Sequence, residues 1–278
     1  MRVRDALAGS MIVLGLTLAL PATAANEPGR VRVRGWLGFA VMTLDDVNDR
    51  IRSERDAFRA DSLVDETRWD PFGGTPNLGI ELETQVSPLF SVGIGFNSQR
   101  SALRHEAFRT FSSDPITGDP LEFEEYDEDL RLRAWDVVGT LGLWVPSAPG
   151  LHFGAQLGLV RGTFESDRVH VFSSYSAGEF TATTHGIYSG SGVVVGGFTG
   201  YEQPLSPVLS FSSRLGYRYR RISAPFGIFR TLTLDEHEGT SYEWENGPLL
   251  DATGRRMSLD LGGFYFQMMF SMGLGGGS

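Results

Sequence analysis

Apolar and polar positions alternate with a period of two along much of this chain. In 89–99, Phe90, Val92, Ile94 and Phe96 share one face, and Ser91, Gly93, Gly95, Asn97 and Gln99 the other. That pattern predicts a strand with one apolar and one polar side. Residues 77–87 repeat it, with Leu78, Ile80, Leu82 and Val86 opposing Gly79, Glu81, Glu83, Gln85 and Ser87. So do 208–220, where Leu209, Phe211, Leu215, Tyr217 and Tyr219 oppose Ser210, Ser212, Arg214, Gly216, Arg218 and Arg220. The last strand ends at Leu274 and sets Phe264, Phe266, Met268, Phe270 and Met272 against Tyr265, Gln267, Met269, Ser271 and Gly273. Noisier segments at 31–44, 130–145, 150–164 and 187–202 complete a set of eight. Among these, His152, Gly154, Gln156 and Gly158 oppose Leu151, Phe153, Ala155, Leu157 and Leu159, and Asp136, Thr140 and Gly142 oppose Trp135, Val137, Leu141 and Leu143. The faces of 31–44 and 187–202 stay undecided.

The connections alternate in length. Ser87-Pro88, 146–150 and 203–207 are short, whereas 45–75, 101–129, 165–186 and 222–256 are long. Short turns on one side and long loops on the other suit a transmembrane barrel, and an even strand number returns both ends of the barrel to the short-turn side. A soluble barrel would carry its apolar face inward and charges outward. Here the polar faces are rich in Gly and Ser with sparse charges of both signs, which suits the crowded lumen of a small barrel. Tryptophans and tyrosines fall near segment ends, as interface girdles require. The predicted fold class is all-β: an eight-stranded antiparallel up-and-down transmembrane β-barrel with a short helix in the first long loop. A soluble periplasmic β-barrel binding protein is the alternative.

Residues 1–24 read as a signal peptide. Arg2 and Arg4 precede a ten-residue apolar run, Met11 to Leu20, followed by Pro21 and the small residues Ala22-Thr23-Ala24. Ten residues make about 15 Å of helix, half of a hydrocarbon core of about 30 Å. The predicted organisation is signal peptide 1–24, periplasmic segment 25–30, barrel 31–274 and Gly-rich tail 275–278. Among the 278 residues there is no Cys, which excludes disulfides and thiolate chemistry. All 24 basic residues are Arg, so lysine Schiff-base chemistry is excluded as well. A net charge of −10 argues against nucleic-acid binding.

On its signal, strand number, loop rhythm and aromatic final strand, the chain resembles the small eight-stranded bacterial outer-membrane barrels, the OmpA/OmpX-like or OmpW-like class, over roughly 30–274. The last strand departs from the pattern, because Phe270-Ser271-Met272-Gly273-Leu274 is followed by GGGS rather than ending on an aromatic residue. The resemblance implies an outer-membrane location, with membrane lipid and lipopolysaccharide as surroundings. Some such barrels modify lipid A with Ser, His and an acid. His170 near Ser173 and Ser174, and His185 near Ser189, are the pairs that would serve, but no nucleophile motif accompanies them.

The inward set Glu81, Glu83, Asp136, Arg214, Arg218, His152 and Gln156 is predicted to form a lumen charge network, since lone charges in a narrow barrel are too costly. It reads as a packed interior that fixes register, with a selective pore as the alternative. Residues 45–66 predict a helix on the barrel rim, with Asp45 as its cap. The run 121–129 (LEFEEYDED) reads as a solvated acidic loop, and 231–246 and 168–184 as hairpins rising above the membrane. Possible loop contact residues are Tyr242, Trp244, Glu124, Glu125 and Asp127. No metal motif, cofactor site or catalytic set is expected. The predicted function is a non-enzymatic, monomeric outer-membrane protein with a structural or surface-interaction role through its acidic loops, touching an extracellular ligand or surface. Narrow passive transport of small, hydrophobic molecules is the main alternative, and lipid A modification a further one.

Overall fold

The computed structural model describes residues 28–59, 64–68, 70–118, 120–174, 178–236, 239–250 and 254–274. The signal segment 1–24, the tail 275–278, Asp119 and His237 lie outside them. The strands are β1 (Val31–Val41), β2 (Val64–Arg68), β3 (Gly74–Gln85), β4 (Phe90–Ser113), β5 (Pro120–Trp144), β6 (Leu151–Ser174), β7 (Gly178–Pro204), β8 (Leu209–Ser223), β9 (Phe226–Asp235), β10 (Gly239–Pro248), β11 (Ser258–Asp260) and β12 (Gly263–Leu274), with one helix, α1 (Asp45–Arg59). Eight of the strands form a closed antiparallel ring in the order β1-β3-β4-β5-β6-β7-β8-β12, and Val31↔Leu274 and Phe39↔Phe266 join the last strand to the first. Closure leaves no free sheet edge in the ring.

The faces follow the alternation. Leu37, Leu78, Ile94, Leu157, Leu159, Phe264 and Phe270 point outward, and Leu157 is 68% exposed. Arg32, Arg34, Glu81, Asp136, Arg214 and Gln267 point inward and are buried. A continuous apolar band on the outside and a charged interior invert the polarity of a water-soluble barrel; this is a barrel whose solvent is lipid. Two tight turns share one device. Ser87 Oγ accepts from the amides of Leu89 (3.3 Å) and Phe90 (3.1 Å), and Ser206 Oγ from those of Val208 (3.3 Å) and Leu209 (3.0 Å). Gly150, at φ +88°, supplies the left-handed residue of the third.

Three expectations are corrected. First, most of 101–129 and 165–186 is strand rather than loop. β4 to β7 run for 24, 25, 24 and 27 residues, against the roughly 9–11 that cross a membrane, so the wall rises far beyond the apolar band. The acidic run 121–129 lies within β5, where Asp129 opposes Arg104, Glu128 opposes His105 and Glu124 opposes Arg109. Opposite charges across the sheet stabilise as strand what in isolation reads as a solvated loop. The expected hairpins are present as β6–β7 and β9–β10.

Second, the helix ends at Arg59, and residues 64–68 form β2, paired with β4. Third, α1 is not a solvated rim helix. Val47 and Ile51 are buried and pack with Leu130, Leu132, Phe164 and Leu259 in one apolar cluster. The helix, together with Leu249 and the returning residues Met257, Leu259 and Leu261, plugs the barrel above its charged layer. Leu44, at φ +42°, turns the chain into the plug, and its amide donates to the Asp260 carbonyl at 2.8 Å. Asn48 ties α1 to the returning chain: its side chain donates to the Thr43 (2.7 Å) and Phe72 (3.1 Å) carbonyls and accepts from the Phe72 amide (2.8 Å). Asp46 accepts from the amide and hydroxyl of Ser258 at 2.8 and 2.7 Å. The plug therefore caps the polar lumen of the short-turn end.

Candidate functional site

The charged layer begins on β1, where Arg32 and Arg34 alternate inward. Arg34, with no exposed side-chain surface, bridges two carboxylates: Glu202 at 2.7 Å and Glu83. Arg32 reaches the same Glu202 at 3.1 Å, and Ser210 donates to it at 2.9 Å. Arg214 binds Glu81 at 2.6 Å, approaches Glu83 at 3.8 Å, and stacks over the Phe198 ring at 4.3 Å. One step toward the plug, Asp136 accepts from Arg220 (3.2 Å) and Asn97 (3.1 Å), with Arg218 at 4.0 Å. Arg218 also donates to Gln156 at 2.7 Å and lies over the Tyr265 ring. His152 stacks on Trp144 with ring centres 4.6 Å apart, its Nδ1 3.2 Å from the Gly150 carbonyl.

All seven residues expected to face the lumen are buried there, and six of them join the ionic layer while His152 packs beside it. The sequence reading missed Arg32, Arg34 and Glu202 and left Arg220 out of the network. The alternating arginines at 30, 32 and 34 were a usable signal. Glu202 had none, because it lies at the end of a Gly-rich segment, 187–202, whose faces were undecided.

A second cluster lies above the plug, on the strand extensions. Glu128, 1% exposed, accepts from Ser166 (2.7 Å), Tyr126 (3.0 Å), Arg168 (3.1 Å) and, from α1, Arg50 (3.4 Å), with His105 at 3.6 Å. Burial pushes its pKa upward, but the adjacent His105 and the Arg168 and Arg50 charges outweigh it and hold the carboxyl well below the usual range. The anchor to α1 is thus fully present above the ordinary glutamate pKa of about 4.3 and is lost as pH falls through the lower folded value. Amide exchange in α1 is expected to speed up on acidification below that range, and Glu128→Gln to raise exchange at neutral pH and flatten the acid response.

Among the described residues, no group of three or more His, Asp or Glu is placed to hold a metal ion. His170 lies 2.6 Å from Glu124, His185 bonds Asp167, and Ser174 donates to Glu122 at 2.8 Å. Glu124 faces into the barrel and binds Arg109. Asp127 is held by Arg104 at 2.6 Å, and Glu125 is exposed. Tyr242 and Trp244 lie on β10, 59% and 67% exposed. β10 pairs with β9 and ends the sheet, so among the described residues its other edge is unpaired.

Two recesses enter the interior from opposite ends. One of about 230 Å3 is lined by Arg50, Phe164, Arg168, Tyr188, Phe229 and Leu249, among others. The other, at Arg32, Glu202 and Ser210, holds only about 10 Å3. The apolar plug and the ionic layer lie between them.

No protein-family model matches the chain, and no curated protein matches it. Among solved structures it is similar to a major outer membrane protein of Thermus thermophilus, at 11% identity over 89% of this chain and 100% of that one, with a TM-score of 0.41. It is also similar to the attachment invasion locus protein Ail of Yersinia pestis, at 10% identity over 89% and 100% of the two chains, TM-score 0.39. The outer membrane protein OprG of Pseudomonas aeruginosa aligns at 9% identity over 91% and 99%, TM-score 0.33.

Proposed function

We propose that this chain is an integral protein of a bacterial outer membrane, exported by its N-terminal signal, that acts without catalysis as a structural and surface-contact element. The observation that carries this reading is the pairing of an apolar exterior with a filled interior. The outward Leu, Ile and Phe side chains need a lipid solvent, and an eight-stranded ring has room for side chains rather than for an aqueous path. Here that room is taken by the arginine–carboxylate layer and by α1. The surface left for contact is the raised wall, above all the open edge of β10 with Tyr242 and Trp244 standing clear of it. An extended segment of a partner can pair with such an edge while its side chains meet the aromatic face.

Unboiled protein extracted from membranes is expected to migrate differently from boiled protein, and to insert into planar bilayers without stepwise conductance. A soluble periplasmic pool would reject the membrane reading. Discrete conductance steps would favour the second reading, passive passage of small apolar molecules. That reading draws on the recess of about 230 Å3, where Phe164, Phe229, Leu249 and Leu250 lie beside Arg50 and Arg168.

A further inference from the structure

The apolar band ends differently at its two ends. The tight turns at 86–89, 145–150 and 205–208 contain no charged residue. At the other end, the first charged residue on the outward face is an arginine on each of three adjacent strands. Arg100 follows Phe96 on β4, Arg133 follows Trp135 on β5, and Arg161 follows Leu159 on β6. All three are exposed, whereas Gln99, Ala134 and Gly162 beside them point inward. Arg100 and Arg133 are directly opposed across the β4–β5 ladder, and Arg161 is directly opposed to Trp135.

Like charges in direct cross-strand register destabilise a sheet unless something neutralises them. The protein neutralises the arginines higher on the same face. Arg104 has Asp127 at 2.6 Å and Glu106 at 2.9 Å, and Arg131 has Asp129 at 3.3 Å and Asp167 at 3.4 Å. In the lower row only Arg133 has a carboxylate, Glu165 at 3.8 Å; among the described residues Arg100 and Arg161 have no ion-pair partner. Three guanidinium forks thus stand at the border of an apolar surface with one carboxylate, Glu165, among them.

We infer that Arg100, Arg133 and Arg161 bind the phosphate of a phosphorylated saccharide lipid, lipid A, in the leaflet on the strand-extension side. Its acyl chains lie against Phe96, Trp135 and Leu159. Guanidinium groups match phosphate oxygens in paired, charge-assisted hydrogen bonds. The inference rests on the membrane reading above.

The test is native mass spectrometry of the detergent-solubilised full chain, titrated with diphosphoryl lipid A, dephosphorylated lipid A, phosphatidylglycerol and inorganic phosphate. Diphosphoryl lipid A is expected to bind most tightly, and R100Q/R133Q/R161Q to weaken it by about tenfold or more. R104Q, which removes a guanidinium already held by carboxylates, is expected to leave binding unchanged. Unchanged binding in the triple variant, or equal binding of the dephosphorylated lipid, of phosphatidylglycerol or of free phosphate, overturns the assignment. Each sample is also run unboiled on a gel, and R100Q and R161Q singly, which remove the two unpaired guanidinium groups, serve if the triple variant loses the folded band. Absence of the wild-type chain from membranes would defeat the membrane reading, whereas a membrane-resident chain indifferent to lipid phosphate defeats the arginine site alone.

Discussion

Leu157→Arg is expected to destabilise the protein in bilayers by about 2–4 kcal/mol, the cost of an arginine near the midplane of a lipid-facing barrel wall. Leu157 lies within the apolar band on the outward face of β6 and is already 68% exposed. In a water-soluble protein, so exposed a position would tolerate the change to within about 0.5 kcal/mol. Val169→Arg is the matching control: the residue sits higher on the outward face of the same strand, 41% exposed, beyond Arg161. It is expected to be near neutral. Reversible urea unfolding in phospholipid vesicles measures both. Equal, small effects at the two positions would show that no lipid touches Leu157.

The second large effect is expected from Arg34→Ala. Arg34 has no exposed side-chain surface and holds both Glu202 and Glu83. Its removal strands two buried carboxylates, and breaking a buried pair in this way costs about 3–5 kcal/mol. Adding Glu202→Gln should recover part of the loss, because it removes one of the stranded charges. A thermal midpoint read from the gel-migration shift follows both variants. If Arg34→Ala unfolds like the wild type, the ionic layer is not what fixes the register of β1 against β3 and β12.

How far each feature could be read beforehand depends on where its physics lives. The faces of β3, β4, β8 and β12 were legible because side-chain direction alternates along a strand whatever its neighbours do; Phe90, Val92, Ile94 and Phe96 needed only their own order. The inward placement of Glu81, Glu83, Arg214 and Arg218 followed from the same rule. The acidic run in β5 was not legible, because its partners Arg104, His105 and Arg168 come from β4 and β6 through cross-strand register. The burial of α1 was not legible either. Val47 and Ile51 fit an amphipathic helix on any apolar surface, and theirs exists only where β5, β6, β8 and β11 converge.

By itself the sequence determined the strand class, the alternating apolar and polar faces, the short and long ends and the chemical types available inside. Tertiary structure alone decided how far the strands continue past the band, that an apolar plug caps the ionic layer, and that Arg34 and Glu202 meet. The reason is that alternation is a local property of a strand, whereas the identity of a partner depends on the closure and stagger of the ring. That closure brings residues 168 positions apart in the chain into one hydrogen bond.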